Sequence, residues 1–432
     1  MIKTYQHGIA SNNVQFVHLL LQVFFVGLAW GVMRTVVPVL AETEFGMPED
    51  AFTLLSSFVI TFGCVKGTLN FVAGRLSEKL GRRYILIAGW LTAIPVPWMI
   101  FYAPNWNWII VSAILLGINQ GLCWSMTQTA KIDIAHLNER GLAIGLNEFA
   151  GYLGVAASGV IIGYMSEILP PREALLLFGI VVILAALLFA WICVQETLPW
   201  MHAEARNRQQ QNNIQQYSYR VHSIPNTPTT WQVFAWVSWH DRRMAAFSQA
   251  GLVEKFVDTL IWVFYPVYLY EKGVSLFHIG IIVGIYGAVW GVLQTLTGKL
   301  SDHIGRMKPI VLGMWICAIG IAIKLYSDDV LWWCISSAIT GAGMALLYPN
   351  LSAAVSDISH PNWRGSAIGV YRFWRDLGYG VGALILGLTA DIHGEITGSF
   401  GIVIIAMFLS GLLVCYWGQE TLPKLRKSLP GR

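Results

Sequence analysis

The sequence predicts an all-α polytopic membrane protein with twelve transmembrane helices, built as two parallel six-helix repeats. Three observations predict this fold class. The chain is 55% hydrophobic and 12% charged with a mean hydropathy of +0.57, whereas about a quarter of the residues in soluble domains are charged. Long apolar runs alternate with short polar gaps. A basic stretch in the first half returns as a close copy in the second half.

The apolar runs set the number of spans. A helix that crosses the hydrocarbon core needs about 20 predominantly apolar residues. In the first half, runs of that length lie near residues 16–40, 51–73, 84–102, 107–128, 142–166 and 173–194. In the second half they lie near 246–269, 276–297, 309–326, 330–352, 366–389 and 398–418.

The stretch between the two halves differs in composition from both. Residues 200–235 are rich in Gln, Asn, Ser and Pro, a composition that cannot bury a core, so we expect a flexible tether. Trp231 to Trp239 predict an interfacial helix with tryptophan at the depth of the lipid headgroups. The predicted organisation is an N-terminal half over 1–200, a cytoplasmic linker over 201–240 and a C-terminal half over 241–432.

The duplication holds one offset, 224 residues, along the whole unit. The stretch that begins at Gly74 faces the one that begins at Gly298. Residues 133–145 face 357–369 with nine of thirteen identical, and 195–199 face the identical 419–423. Because each unit has an even number of spans, both halves enter from the same side of the membrane and the repeats are parallel.

Orientation and partners follow from the basic residues. Lys and Arg concentrate in the gaps after the second, fourth, eighth and tenth spans, which predicts a multi-pass protein of the inner or plasma membrane with both termini cytoplasmic. Their short scattered clusters form no single basic face, so we expect no nucleic-acid partner; the environment is the lipid bilayer and the chain a monomer. The six cysteines lie in apolar runs without metal-ligand spacing, so no metal or other cofactor is expected. The 19 tryptophans are expected in aromatic belts and packing.

Ionisable residues inside the spans are candidate functional residues, because each costs about 2.5–3.5 kcal/mol to place at mid-membrane. The 224 offset relates Arg34 to Asp258 and Glu148 to Arg372, so symmetry-related positions carry opposite charge and could pair across the pseudo-twofold axis. The alternative is that such charges pair internally and fix helix packing. The set comprises Arg34, Lys66, Glu148, Glu254, Lys255, Asp258, Arg372, Arg375 and Asp376.

Two roles are predicted for these charges. Glu254 and Asp258 are four residues apart on one helical face, and two carboxylates in one dry cavity retain a proton more readily, as a proton carrier requires. Asp376 is the alternative carrier. Arg34, Arg372 and Arg375 are the candidate site for an anionic group, since guanidinium binds carboxylate or phosphate in a bidentate manner.

The sequence resembles the major facilitator superfamily in three features. These are the repeated halves, the loop Gly74-Arg-Leu-Ser-Glu-Lys-Leu-Gly-Arg-Arg83 with its copy at Gly298, and the Gln-Glu-Thr-Leu-Pro segments at 195 and 419 that follow the sixth and twelfth spans. The chain departs from the family at Glu78, where Asp is usual, and at His303 and Met307 in the second copy. Gly117 replaces an antiporter arginine, and the fifth span lacks the Gly-Pro pair of drug antiporters, which weakens a drug-antiporter reading.

The resemblance implies a cytoplasmic latch. Glu78 would meet the start of the eleventh helix at Gly365, and Asp302 the start of the fifth at Gly141. Gly74 and Gly81 would permit turns and close backbone approach, while Arg82 and Arg83 would anchor to the anionic membrane face. The alternative is a simple topogenic turn. The candidate gating residues are Gly74, Glu78, Gly81, Arg82, Arg83, Arg140, Gly298, Asp302, Gly305, Arg306 and Arg364.

The resemblance also implies that the fourth and tenth spans line the substrate cavity. Their candidate substrate-binding residues are Asn119, Gln120, Tyr348 and Asn350, with helix–helix hydrogen bonding as the alternative for Asn119 and Gln120. Together with Arg34, Glu148, Arg372 and Arg375 they complete the predicted substrate-binding set.

The predicted function is secondary active transport by alternating access, coupled to protons, of a small organic and possibly anionic solute. No HExxH, GxSxG or phosphate-binding Gly-rich motif occurs, so we expect neither an enzyme nor ATP-driven transport. The alternatives are a multidrug or toxic-compound efflux pump, and a sensor that keeps the fold without transport.

Overall fold

The computed structural model describes residues 5–35, 45, 57–214, 228–274, 276–326, 328–393 and 395–422, and every regular element in these ranges is a helix. The first half contains α1 Asn13–Thr35, α2 Ser57–Leu80, α3 Arg82–Ala93, α4 Val96–Phe101, α5 Trp106–Ile134, α6 Arg140–Ile168 and α7 Pro171–Cys193. The third predicted span is divided between α3 and α4, because Pro95 and Pro97 lack the backbone N–H that a continuous helix needs.

The linker and the second half are helical as well. The linker contributes α8 Leu198–Ile214 and α9 Thr230–Ala235, followed by a π-turn at Trp236–His240. The seventh span consists of α10 Arg242–Thr259, a π-turn at Leu260–Phe264 and α11 Tyr265–Glu271. The remaining helices are α12 Leu276–Ile304, α13 Met307–Tyr326, α14 Val330–Ile358, α15 Arg364–His393 and α16 Thr397–Trp417.

Helix forms most of the described part of each of the twelve predicted spans, so the fold class is confirmed. Ten of the described helical segments are long and apolar enough to cross a membrane. The remaining two spans are the seventh, formed by α10 and α11, and the eleventh, formed by α15. Both are distinguished by their charge. Three charged residues fall within five positions at 254–258, and three more at 372–376. These two spans carry six of the nine ionisable residues predicted inside the spans, and Arg34, Lys66 and Glu148 belong to other helices.

Two expectations about the polar segments were wrong. Gly74 does not end a helix, since α2 continues to Leu80 and the turn comes at Gly81 with φ +103°; Gly305 repeats that turn with φ +98°. Glycine is favoured there because other residues rarely adopt positive φ. The first part of the linker is not a flexible tether but helix α8, which buries Met201 and Ala205 on one face. Residues 215–227 lie outside the described chain.

The two halves approach closely where glycine faces glycine. A Cβ atom built on Gly74 would lie 2.3 Å from the Gly365 carbonyl oxygen, between α2 and α15. A Cβ built on Gly298 would lie 2.3 Å from the carbonyl oxygen of Gly141, between α12 and α6. The two contacts are related by the 224 offset, so the duplicated sequence forms the same helix crossing twice. Only glycine leaves room for backbones this close.

The predicted helix at Trp231 to Trp239 is present and covers the crossing of α2 and α15. The Phe234 ring lies 5.2 Å from the ring of Phe71 on α2 and 5.6 Å from that of Phe373 on α15. Trp231 and Trp239 themselves are exposed. One short linker segment thus contacts both halves where they meet.

The glycine crossing predicts the effect of adding one methyl group. Gly298→Ala places a Cβ against the Gly141 carbonyl, so the helices must separate, and overpacking of this kind costs about 1–3 kcal/mol. Gly291→Ala on the same helix is the matched control, because its Cβ would meet nothing within 4 Å and alanine favours helix by about 1 kcal/mol. Thermal unfolding in one detergent should show a lower Tm for Gly298→Ala alone. Equal Tm values for the two variants would contradict the close crossing.

Candidate functional site

The helix ends beside the two repeated loops carry the contacts that the resemblance implies. Glu78 Oε1 accepts a hydrogen bond of 2.6 Å from the backbone N–H of Ser366, at the start of α15. Asp302 accepts bonds of 3.0 Å from the backbone N–H groups of Gly141 and Leu142, at the start of α6. A carboxylate at a helix N-terminus is stabilised by the helix dipole. Each contact joins one half of the protein to the other.

Buried arginines extend this contact into a symmetric network. Arg82 Nε donates to Asp133 Oδ2 at 3.0 Å, and its repeat mate Arg306 Nε donates to Asp357 Oδ2 at 3.1 Å. From the opposite half, Arg364 Nη1 lies 3.9 Å from Asp133 Oδ1. Symmetrically, Arg140 Nη1 lies 3.9 Å from Asp357 Oδ1.

The expected membrane anchoring of Arg82 and Arg83 differs from the structure. Arg82 is buried and bonded to Asp133, so it does not reach the membrane face. Arg83 donates from its guanidinium to the Trp191 carbonyl on α7. The Glu196 carboxylate accepts the backbone N–H groups of both arginines at 3.0 and 3.1 Å and so caps α3. The loop arginines therefore hold helices together.

Glu204 on α8 connects the two halves of this network, and sequence reasoning missed it. Its carboxylate accepts from Arg140 Nη2 at 2.9 and 3.1 Å and from Arg364 Nη2 at 2.7 Å. Arg140 and Arg364 are repeat mates, so one carboxylate binds a symmetry-related pair. A search for charged residues at both positions related by the 224 offset could not find Glu204, because the residue at the related position is Ser428.

The centre of the membrane contains a second cluster, organised around Asp376 on α15. Asp376 accepts a 3.0 Å bond from Arg375 Nε and a 2.7 Å bond from Asn70 Nδ2. Lys66 Nζ lies 3.6 Å from Asp376 Oδ2, and Arg372 Nη2 lies 3.8 Å from the same oxygen. All of these side chains are buried. One carboxylate is thus shared by three cations.

Much of the hydrogen-bonding capacity of the two arginines is unused. Arg372 Nη1 donates to Gln128 Oε1 at 2.7 Å, but its Nε and Nη2 have no hydrogen-bond partner among the described residues. Neither Nη atom of Arg375 has one in the same part of the chain. The Arg375 guanidinium lies 4.4 Å from the ring centre of Tyr348. Buried guanidinium N–H groups without acceptors are costly, so this arrangement can accept an anion.

The two carboxylates on α10 have contrasting environments. Asp258 accepts from Lys255 Nζ at 2.7 Å, from the Tyr286 hydroxyl at 2.5 Å and from the Tyr379 hydroxyl at 3.1 Å. Neither oxygen of Glu254 accepts a hydrogen bond within the described residues, and its Oε1 lies 3.8 Å from Lys255 Nζ. Asp258 is therefore fixed by three hydrogen-bond donors, whereas Glu254 has none among the described residues.

Of the two ion pairs suggested by the offset, the one between Glu148 and Arg372 is not formed. Glu148 accepts from Trp124 Nε1 at 3.0 Å and from Asn147 Nδ2 at 2.9 Å, while Arg372 contacts Gln128 and Asp376. The reason is that α6 packs mainly on α1 and α12, whereas α15 packs mainly on α2 and α10. For the other predicted pair, the side chain of Arg34 lies outside the described part of the chain, and Asp258 is bonded as above.

The remaining predicted cavity residues divide into two groups. Asn119 Nδ2 donates to the Gly89 carbonyl at 2.9 Å and Gln120 Nε2 to the Val26 carbonyl at 3.0 Å, so their donor groups join helices. The Tyr348 ring belongs to the central cluster, with Lys255 Nζ 4.2 Å from its centre. Asn350 Nδ2 donates to its own helix, while its Oδ1 has no hydrogen-bond partner in the described chain.

Aromatic rings enclose the central charges, which the expectation of belts and packing did not anticipate. Lys66 Nζ lies 4.9 Å from the ring centre of Trp30 and 5.3 Å from that of Trp124. Trp30, from the first half, also contacts Trp262 and Tyr379 of the second half at ring distances of 5.5 and 6.4 Å. Cation–π contacts in a desolvated site favour the buried ammonium. The rings therefore seal the charge cluster between the halves.

The Glu204 contacts predict how the cytoplasmic side opens. Glu204→Gln removes the charge that binds Arg140 and Arg364, and breaking a buried ion pair costs about 3–5 kcal/mol. A cysteine at the buried position Gln294, whose backbone abuts Gly145 between the halves, should then react with a cytoplasmic thiol reagent at least about tenfold faster. The background would lack the six natural cysteines.

Asp328→Asn is the matched control for Glu204→Gln. Its ion pair with Lys272 is exposed, and exposed pairs contribute about 0–1 kcal/mol, so the labelling rate should not change. An unchanged rate in Glu204→Gln as well would contradict a role for Glu204 in closing the cytoplasmic side.

Comparison with known proteins covers nearly the whole chain. A family model described as Major Facilitator Superfamily matches residues 19–253 and 247–432. An uncharacterised MFS-type transporter of Salmonella typhimurium is 22% identical over 394 residues, covering 89% of this chain and 92% of the relative. The class H tetracycline resistance protein of Pasteurella multocida is 23% identical over 435 residues, covering 97% of this chain and 100% of the relative. The proton-coupled antiporter flippase LtaA of Staphylococcus saprophyticus is 22% identical over 400 residues, covering 90% and 91%.

Solved structures share the architecture. The human organic anion transporter MFSD10 matches with a TM-score of 0.74 at 15% identity, covering 93% of this chain and 99% of that one. The proton:xylose symporter XylE matches with a TM-score of 0.72 at 16% identity, covering 97% of this chain and 100% of that one. At these identities the likeness concerns the fold alone.

Proposed function

The chain belongs to the major facilitator superfamily and is a membrane transporter, and we propose that it moves a small organic anion across the cytoplasmic membrane, coupled to protons, by alternating access. One observation carries the proposal. Two buried arginines beside Asp376 present four guanidinium nitrogens without hydrogen-bond partners in the described chain. A carboxylate or phosphate group would satisfy several of them at once.

The cytoplasmic network supports the transport cycle. Glu78, Asp302 and Glu204 each bind across the two halves, so a rocking motion that opens the cytoplasmic side must break all three contacts. In the structure they are formed, which corresponds to a gate closed on the side that we assign to the cytoplasm. Both termini and the linker lie on this side in the proposed orientation.

Proton coupling is best assigned to Glu254. Of the three candidate carboxylates, Asp258 and Asp376 already accept strong bonds from cations and hydroxyl or amide donors. Glu254 accepts none from the residues that the structure describes, so protonation there breaks no hydrogen bond among them. A carboxyl group that changes its proton at little cost to the structure fits a coupling site.

Efflux of toxic compounds is the second candidate function. It draws support from the similarity to the class H tetracycline resistance protein. The excess of guanidinium donors at the centre favours an anion over a lipophilic cation. A facilitator-fold sensor remains the alternative in which no solute crosses.

Counterflow in proteoliposomes tests the anion site. Wild type should exchange at least one radiolabelled probe among L-lactate, D-gluconate, benzoate and succinate, but neither glucose nor tetraphenylphosphonium. Arg375→Met should reduce this exchange at least about tenfold, because a lost charged contact of about 1.5–3 kcal/mol weakens binding by that order.

Lys324→Met is the matched control for Arg375→Met. Lys324 is also a fully buried cation of the second half, but it bonds Ser336 and Ser337, away from the cluster. Exchange should persist in this variant. Exchange of the cation without any anion would overturn the anion site, and no flux of any probe would favour the sensor.

A further inference from the structure

We infer that a proton at Glu254 and an anion at Arg375 bind cooperatively and cross together, so that the protein is an anion–proton symporter and not an antiporter. The inference rests on the proposed function and adds the direction of coupling. Its basis is geometric: Glu254 and the anion would draw on the same cations, Lys255 and Arg375.

The helices that carry the two groups are in direct contact. A Cβ built on Gly251 of α10 would lie 3.3 Å from the Cβ of Arg375 on α15. A Cβ built on Gly378 of α15 would lie 3.0 Å from the Cβ of Lys255. Glu254 lies between these two points on α10 and interacts electrostatically with both Lys255 and Arg375. The Glu254 carboxylate and the anion site are therefore close enough to influence each other electrostatically.

The groups that face Glu254 come from several helices. Helix α16 packs on α10 but contains no Asp, Glu, Lys, Arg or His. The charged and titratable groups around Glu254 are Lys255 and Asp258 on its own helix, Tyr371, Arg375 and Asp376 on α15, Tyr348 on α14 and Cys317 on α13. Among these, Asp258 and Asp376 keep their own hydrogen-bonded partners, so the variable charge is that of Glu254.

Counting charges shows what the proton changes. The described side chains of the cluster comprise four cations, Lys66, Lys255, Arg372 and Arg375, and four carboxylates, Glu148, Glu254, Asp258 and Asp376. The cluster is therefore neutral when Glu254 is ionised and carries one positive charge when Glu254 is protonated. The side chain of Arg34 lies outside this count, but the difference of one charge does not depend on it.

That difference fixes the sign of the coupling. A protonated Glu254 leaves Arg375 free for a substrate anion, whereas an ionised Glu254 repels the anion and competes for the guanidinium. Coupling of this kind is reciprocal and typically amounts to about 5–150-fold in affinity. An anion and a proton that strengthen each other's binding cross the membrane in the same direction. A cation would instead compete with the proton for binding and would be exchanged against it. One proton with one monoanion is electroneutral.

Affinity at two pH values tests the linkage directly. The probes are L-lactate, D-gluconate and benzoate, which stay ionised at both about pH 5.5 and about pH 8. Anion binding to the purified protein, followed by thermal stabilisation, should be at least about fivefold tighter at the lower pH. Glu254→Gln, which fixes the neutral form, should bind tightly at both pH values. Glu271→Gln, at an exposed position of the same span, should keep the wild-type dependence.

Transport in proteoliposomes tests the direction. An outside-acid gradient should drive accumulation of the exchanged monoanion by wild type, without an effect of membrane potential. Glu254→Gln should retain counterflow and lose accumulation. Affinity that is independent of pH or tighter at pH 8 in wild type would overturn the inference, even if the variant failed to fold. Failure of wild type to exchange any anion would instead overturn the proposed function.

Discussion

A charge buried in a membrane protein needs a partner, and this constraint separates the structure into two layers. At the helix ends beside the repeated loops the four buried arginines meet Asp133, Asp357 and Glu204, while Glu78 and Asp302 bind helix starts across the halves. At the centre one carboxylate serves three cations, and four guanidinium nitrogens of Arg372 and Arg375 have no hydrogen-bond partner in the described chain. The first layer joins the two halves, whereas the second layer has the donors with which we propose that the protein binds an anion.

The duplicated sequence explains the first layer and not the second. The glycine crossings, the capped turns at Gly81 and Gly305 and the Arg–Asp pairs all occur twice, because the same residues recur after 224 positions. The central charges have no such copies: Asp376 corresponds to Tyr152, and Arg375 to Gly151. Glu204 likewise has Ser428 as its mate. The residues on which we base substrate and coupling are therefore those where the repeats have diverged.

This difference also explains which features of the structure could be predicted from the sequence. Span positions followed from the length of apolar runs, and the contacts of Glu78 and Asp302 followed from the resemblance of the repeated loops to the family. The partner of Glu148 did not follow, because an offset relates positions by symmetry and says nothing about which helices touch. The burial of Arg82 was missed for a similar reason, since a basic loop residue reads as membrane-facing until Asp133 is seen beside it.

The cytoplasmic network also has the energetics of a gate with two states. While it is closed, the arginines are buried and each ion pair acts in a medium of low dielectric constant, so removing one partner is costly. Once the halves separate, water enters and the same charges are solvated, so the cost of leaving them unpaired falls steeply. Glu204 sharpens this behaviour, because it cannot stay bound to both Arg140 and Arg364 when their helices move apart. In the proposed alternating-access cycle, partial opening is therefore the least stable arrangement.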